Sequence, residues 1–334
     1  MGQYWRLINI DIRQSIRFDS PGLSEMLIWR DPNRLIWLLA IPRKPKPYQR
    51  SVERGHSKDA RDLGMLNLPF DVLDLIFDQI DDSLDVAYLA LTNSFLRVIG
   101  EKHIYRWMCF YNGRWNLERL IYAGDCLLDD DLPPNVFKEK EKELLSGHNP
   151  DPKSGICNSC LFDAFDIWLN DKEERQLTRA ERRELRALVE LDYTWDGTPE
   201  TEWILCNWTL AQYVRASAVA DLTGSVCDGP WTDNFLGLGH VLLSQICWSS
   251  DMQYEQPIRR GEWAGHYVAI TTVDQLTRNR SFADKENWTD VTDKVVGEVL
   301  EIWRAKAPER LVPHLRPEGY LNDRTPDFTD EEFL

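Results

Sequence analysis

Residues 66–107 read LNLPFDVLDLIFDQIDDSLDVAYLALTNSFLRVIGEKHIYRW, and this block constrains the fold more than any other part of the chain. Val72, Leu73, Ile76, Phe77 and Ile80 recur at three- and four-residue spacing, which lays one apolar stripe along a helix. Pro69 stands where that helix begins, a place that tolerates its locked φ and missing N–H. Asp71, Asp74 and Asp78 lie off the stripe, and the first two suit the positive end of the helix dipole. IDDSLD at 80–85 breaks the period, with Asp82 or Ser83 as the cap of a second helix carrying Val86, Leu89 and Ala90. TNS at 92–94 offers the next cap, ahead of a third helix with Phe95, Leu96, Ile99 and Trp107. Three short helices cannot make a large core alone. They leave apolar residues over, and such leftovers are expected to meet a partner.

Around this block lies a chain of 334 residues, long enough for one large domain or two modest ones. A hydrophobic share of 43% places most of it among folded rather than disordered sequences. The 14 tryptophans imply either a thick core, the plainer reading, or a recognition surface. A formal net charge of −16 argues against nucleic-acid partners and anionic membranes, both of which need basic patches. Arg43, Lys44, Lys46 and Arg50 are few and broken by prolines, so they read as a solvated linker. Seven scattered cysteines without a secretory signal lead us to expect a reducing intracellular compartment, cytoplasmic or nuclear. Gly2 fails as a myristoylation site because Arg6 stands where Ser or Thr is required. LIWLLAIP at 35–42 is the kind of longest apolar run present, too short to span a bilayer, so a soluble chain is expected.

Composition shifts suggest boundaries. Residues 1–42 hold compact apolar clusters, with a short strand at WRLINIDI (5–12) and a helix turn or strand at LIWLLAIP; this segment is expected to pack on the C-terminal domain. Residues 43–64, with Pro45 and Pro47, read as a linker, 65–108 as the helical block, 109–316 as a C-terminal domain and 317–334 as an acidic tail. Within the C-terminal domain, Thr178 with Glu181 forms a capping-box signature for a helix over 178–191. LFDAFDIWL at 161–169 is ambiguous. Residues 200–275 read as rich in strand (EWILCNW, LGHVLLSQICWSSD, GHYVAITTV), with LAQYVRASAVADL helix-like. Residues 290–306 read as an amphipathic helix with Val295, Val296, Val299, Leu300 and Trp303 on one side. No self-similarity at a period of 20–50 residues is visible. The expected fold class is α+β: three helices followed by a mixed strand and helix domain.

The block at 65–108 resembles the F-box. Leu68–Pro69 match the family's opening, Val72, Ile76 and Ile80 its first helix, Val86 and Leu89 its second, and Trp107 its close. The turn IDDSLDV is one residue longer than the usual pattern, and Val86 stands where Leu is commoner. LALTNSFLR is similar to the spelling in fungal F-box proteins, as are MGQYWRLINID, WILCNWTLAQYVR, CWSSD at 247–251 and GEWAGHYVAI at 261–270. The resemblance implies a non-catalytic substrate receptor of an SCF-type cullin–RING ubiquitin ligase. Leu68, Pro69, Val72, Ile76, Ile80, Val86 and Leu89 would bind the adaptor subunit, and through it the cullin. The C-terminal domain would hold a protein substrate, and a separate enzyme would supply ubiquitin.

Chemistry-bearing candidates are few, and no cofactor is expected. Cys157-x-x-Cys160 is half of a zinc site; His148 is a third ligand at best, and ordinary thiols are the plainer reading. Ser249, Ser250, Asp251 and His266 hold the residue types of a hydrolase triad, without a nucleophile elbow. Trp248, Trp263 and His266 are a candidate ligand or substrate surface, against the plainer reading of a structural histidine beside Trp263. Gly237-x-Gly239 lacks the third glycine of a dinucleotide fingerprint, and the charges at 171–186 read as a solvated helix face. The rival to the receptor reading is a small-molecule-binding or enzymatic C-terminal domain, with the F-box-like helices serving only as packing. A scaffold that binds the adaptor without turning a substrate over is a third.

Overall fold

Trp5–Asn9 and Gln14–Arg17 pair as an antiparallel hairpin in the computed structural model, with Trp5, Leu7, Ile8 and Asn9 of the first strand buried. The structure describes residues 5–17, 26–27, 32–44, 63–124, 127–128, 131–134, 136–141, 157–158, 177–232, 236–250, 260–278 and 288–306. The fold is α+β, and the chain divides into two units. The first takes Met1–Ala40, Trp115–Phe162 and Thr194–Leu334; the second takes Ile41–Arg114 and Asp163–Tyr193. The chain thus leaves the first unit twice. Residues 163–193, placed by the sequence reading with the C-terminal domain, group with the helical block because Leu185 and Leu188 bury in its core.

The first unit is built on a nine-stranded sheet. In chain order its strands are β1 (Trp5–Asn9), β2 (Gln14–Arg17), β3 (Glu118–Gly124), β4 (Cys157–Asn158), β5 (Trp203–Asn207) and β6 (Gln212–Arg215). A separate two-residue pair follows, β7 (Cys227–Asp228) with β8 (Trp231–Thr232), and then β9 (Cys247–Trp248), β10 (His266–Thr272) and β11 (Thr289–Asp290) return to the sheet. The order across the sheet is β11-β6-β5-β10-β3-β1-β2-β4, with β9 beside β3. Register puts Leu7, Leu120, Leu205 and Val268 on one face and Ile8, Ile121, Cys206 and Ala269 on the other. Helices Arg34–Leu39, Ala216–Asp221, Leu238–Ile246 and Thr292–Lys306 pack against these strands. Two apolar clusters close the second face, one around Ile121, Phe137 and Trp248, the other around Cys206, Trp208 and Leu276.

Two local expectations reverse. Gln212–Arg215, read as helical, is a strand that turns into helix only at Ala216, because its backbone completes the ladder with β5. LGHVLLSQI, read as strand, is helix Leu238–Ile246. Every residue of it is buried, so no polar face marks the helical period. LIWLLAIP resolves into helix Arg34–Leu39 followed by an extended Ala40. Residues 45–62, 161–169 and the acidic tail from Pro317 lie outside the described residues.

The second unit is helical: α1 (Phe70–Asp78), α2 (Ser83–Thr92), α3 (Ser94–Tyr111) and α4 (Arg179–Val189). Asp82 caps α2 by accepting from the Leu84 and Asp85 N–H groups at 2.7 and 3.2 Å. Asn93 caps α3 through the Phe95 N–H at 2.7 Å, and Thr178 with Glu181 forms the expected capping box on α4. Pro69 precedes α1 as its cap residue rather than its first helical residue. The N–H of Arg43, first residue of the expected linker, donates to the Asp192 carbonyl at 2.7 Å.

At one end of β3, Arg119 donates to Asp11 and to Glu141, with its Nη2 2.6 Å from Asp11 Oδ1 and 2.9 Å from Glu141 Oε1. Burial and the nearby Asp11 carboxylate push the neighbouring Glu118 up from an ordinary 4.5 to about 7, against the pull of Arg119. A raised carboxyl pKa favours the folded state while the group is protonated, and that contribution fades as pH rises through the folded value. Glu118→Gln keeps a neutral donor there. Its melting temperature should match the parent near pH 4, exceed it by a margin that widens between about pH 4.5 and 7, and keep that margin above; a margin constant across the whole range would contradict the assignment.

Candidate docking surface on the helical unit

The packing of α1 starts from its sequence. At about 100° per residue, its apolar side chains sweep more than half of the helix circumference, wider than one core-facing stripe needs. Leu73 and Phe77 take the inner position and pack with Val86, Ala87 and Ala90 of α2 and Ile99 and Ile104 of α3. The fit is close: a Cβ on Gly100 would lie 2.5 Å from the Ala90 Cβ and 3.1 Å from Phe77 Cε1. Moving round α1 from Leu73, the next apolar side chains are Ile76, Val72 and Leu75. Exposure rises in that order, from half-buried Ile76 through 40% at Val72 to 60% at Leu75.

The opposite edge of α1 is acidic and is held by α3. Lys102 Nζ lies 2.5 Å from Asp74, and Arg106 Nη1 lies 2.5 Å from Asp78. His103, buried between them, places Nε2 2.8 Å from Asp74 and Nδ1 3.2 Å from Asp78, with its ring stacked on Phe77 at 5.3 Å. Hydrogen bonds from Lys102 and then His103 hold the Asp74 carboxyl below its usual range. Such solvent-screened pairs contribute little, so burial of Leu73 and Phe77 dominates the energy. The charges choose which way the helix is turned, and the uncovered remainder of the apolar arc faces water.

The expected adaptor-facing residues separate accordingly. Leu68, Pro69 and Val72 are exposed, and Ile76, Ile80 and Leu89 are half-buried. Val86 has no exposed surface and belongs to the core, so it offers nothing to a partner. Met65, Phe70 and Leu75, not singled out from the sequence, are all exposed, and with Leu68 and Val72 they form the densest run of exposed large apolar side chains among the described residues. The signal for Leu75 was present in its helical angle, one step beyond Val72 on the same arc.

The three residues considered as a ligand surface do not converge. Trp248 lies beside Ala123 and His266 beside Leu120, and an odd separation along β3 puts them on opposite faces of the sheet. Trp263 is fully buried, its Nε1 donating to Gln212 Oε1 at 3.0 Å. Trp248 is buried too, donates to the Asp131 carbonyl at 2.6 Å and carries Arg260 over its ring at 5.1 Å. Asn207 Oδ1 already accepts from the N–H groups of Thr209 and Leu210, so its amide NH2 faces His266 Nδ1 at 3.0 Å. Burial lowers the His266 pKa, as expected of a neutral structural imidazole.

The other chemical candidates fare no better. Ser249 is fully buried, Ser250 Oγ accepts from the Leu128 N–H at 2.9 Å, and Asp251 lies outside the described residues. Cys157 lies in β4 beside Gln14, while Cys160 and His148 lie outside the described residues. Among the described residues no group of three or more His, Cys, Asp or Glu is placed to hold a metal ion.

No family model, curated protein or solved structure matches this chain.

Leu75→Asp should leave stability within about 0.5 kcal/mol of the parent, whereas Leu73→Ala should cost about 2–5 kcal/mol, both measured by urea unfolding. Gly100→Ala should cost about 1–3 kcal/mol through overpacking against Ala90. Equal costs for Leu75→Asp and Leu73→Ala would mean that the outer face of α1 is covered.

Proposed function

We propose that this chain is an F-box-type substrate receptor of an SCF-type cullin–RING ubiquitin ligase. Its helical unit docks on the adaptor subunit, and through it on the cullin, while the sheet-bearing unit holds a protein substrate. The observation that carries the reading is the outward apolar face of Val72 and Leu75 on a helix whose inner face is already satisfied by its own unit, with Leu68 exposed just ahead of it. Covering such side chains removes apolar surface from water, worth on the order of 1–2 kcal/mol for each of them when half-exposed. A rigid helix presents them with little ordering cost. The Leu68–Pro69 opening and the closing Trp107 are features shared with the F-box pattern.

In this reading the chain breaks and makes no bonds. It accelerates ubiquitin transfer by holding substrate lysines near an enzyme carried by the ligase, a proximity effect. A cytoplasmic or nuclear setting goes with that role.

The test is co-purification of the tagged chain with the ligase adaptor. Leu68→Asp/Leu75→Asp should lower adaptor recovery at least tenfold while leaving the melting temperature unchanged, since both residues are exposed. Adaptor recovery equal to the parent's, or no recovery with either chain, would defeat the proposal.

A further inference from the structure

Two distant stretches of the sheet-bearing unit are written alike. Trp5, Leu7, Asn9, Gln14 and Arg17 recur at the same spacing as Trp203, Leu205, Asn207, Gln212 and Arg215. Both stretches form antiparallel hairpins in one register: Leu7 pairs with Ile16 and Asn9 with Gln14, as Leu205 pairs with Val214 and Asn207 with Gln212. The turns agree in detail. Asn9 Oδ1 accepts from the N–H groups of Asp11 and Ile12, as Asn207 Oδ1 accepts from those of Thr209 and Leu210. Arg13 and Ala211, at matching places, both take left-handed backbone, with φ of 55° and 54°.

The likeness continues through the next strand of each half. Gly113 and Trp115 precede β3 as Gly261 and Trp263 precede β10. Trp115 Nε1 donates to Gln14 and Trp263 Nε1 to Gln212, at 3.2 and 3.0 Å. Leu117 and Gly265 both have positive φ, 61° and 77°. Asn9 pairs with Leu120 in β3 as Asn207 pairs with Val268 in β10. Asp11 accepts from the Arg119 N–H as Thr209 accepts from the Tyr267 N–H. The outermost strands follow suit, with Cys157 beside Gln14 and Thr289 beside Gln212, both parallel.

The contacts between the halves are reciprocal. His266 pairs with Leu120, and the exchanged positions, Glu118 and Val268, pair as well. Tyr122 pairs with Cys247 after helix Leu238–Ile246, and Ile270 with Ala40 after helix Arg34–Leu39, again both parallel. Contacts in which i meets j and j meets i are the mark of a two-fold axis. Shared hairpin geometry alone would explain the turns. It does not explain the shared Trp–Gln bonds or this exchange.

We infer that the sheet-bearing unit is two copies of one hairpin–helix–strand motif, related by a pseudo-two-fold axis between β3 and β10, and that the segment carrying α1–α3 of the helical unit is an insertion into the first copy, while the segment carrying α4 joins the two copies. In the second copy, residues 248–260 lead from Cys247 to Gly261; in the first, the chain between Ala40 and Gly113 leaves for the helical unit. The two ends of that insertion meet: the Trp115 N–H donates to the Leu38 carbonyl at 2.8 Å, as the Trp263 N–H donates to the Gln245 carbonyl at 2.8 Å. Insertions are tolerated where the ends of a loop are close and the parent ladder is intact without it. The helical unit is therefore a cooperative module carried by a self-sufficient scaffold. This holds whatever partner the helices take.

The test is hydrogen exchange on the full-length chain with mass-spectrometric readout. Leu73→Asp/Phe77→Asp places two carboxyls in the helical core. Exchange in α1–α3 should rise by on the order of a hundredfold, while β1, β3, β5 and β10 keep the parent's rates. Loss of protection in β1 and β3 with β5 and β10 unchanged would overturn the inference, because the first half would then need the helices where the second does not; unfolding of the whole chain would overturn it too. Asn9→Ala and Asn207→Ala should each speed exchange of their own turn amides about fivefold. A response in only one of the two turns would likewise count against equivalence.

Discussion

The pairing of β3 with β10 is the joint on which the sheet-bearing unit depends. Every other strand of the sheet reaches it through one of these two: β1, β2, β4 and β9 through β3, and β5, β6 and β11 through β10. The joint is short, from Glu118 to Leu120 against His266 to Val268, so its register needs support from outside the ladder. Backbone bonds from Leu117 to Val268 and from Gly265 to Leu120 extend it at both ends. The Arg119 guanidinium over the Tyr267 ring, at 5.7 Å from its centre, adds a side-chain contact across the same pair. Both halves then bring one tryptophan back onto the glutamine of their own hairpin, which ties each outer pair of strands to the inner strand.

The helical unit rests on a different balance. Its core is small, and one residue without a side chain, Gly100, lets α3 approach α2 and α1. Within that core Leu73 and Phe77 supply the energy, and the basic residues of α3 supply the orientation. Rotating α1 by one residue to cover Val72 would carry Asp74 and Asp78 away from Lys102, His103 and Arg106 and turn Phe77 out of the core. His103 links the two carboxylates, with Nε2 facing Asp74 and Nδ1 facing Asp78. The exposed apolar arc follows from these demands: once the charged edge is paired, the opposite edge has nowhere to go but outward.

The helical block was the most legible part of the chain because its signals are local. Caps at Asp82, Asn93 and Thr178 act within three residues of themselves, and the stripe of α1 is read from spacing alone. The face that each residue presents was less legible. Val86 and Val72 look alike in sequence, yet one is sealed and the other open, because Val86 faces the core shared by all four helices and Val72 lies on the outer side of α1. Strand and helix were exchanged at Gln212–Arg215 and Leu238–Ile246 for a related reason: both are decided by what packs on them. Trp248, Trp263 and His266 are near one another in sequence, and only the parity of β3 shows that they point to different sides. The duplication was spelled in the residues, but it is short, diverged and split by an insertion, so no fixed period exposes it.

From composition and spacing alone came an acidic, tryptophan-rich α+β chain, three capped helices with apolar residues to spare, and a helix over 178–191. Those properties are local or additive, and each residue carries its share without reference to distant ones. Which apolar residues of α1 remain outside, which tryptophans meet, and that residues 5–17 and 203–215 are counterparts across one axis were settled only by tertiary contact. Exposure and symmetry are relations between segments far apart along the chain, and a single strand or helix does not contain them.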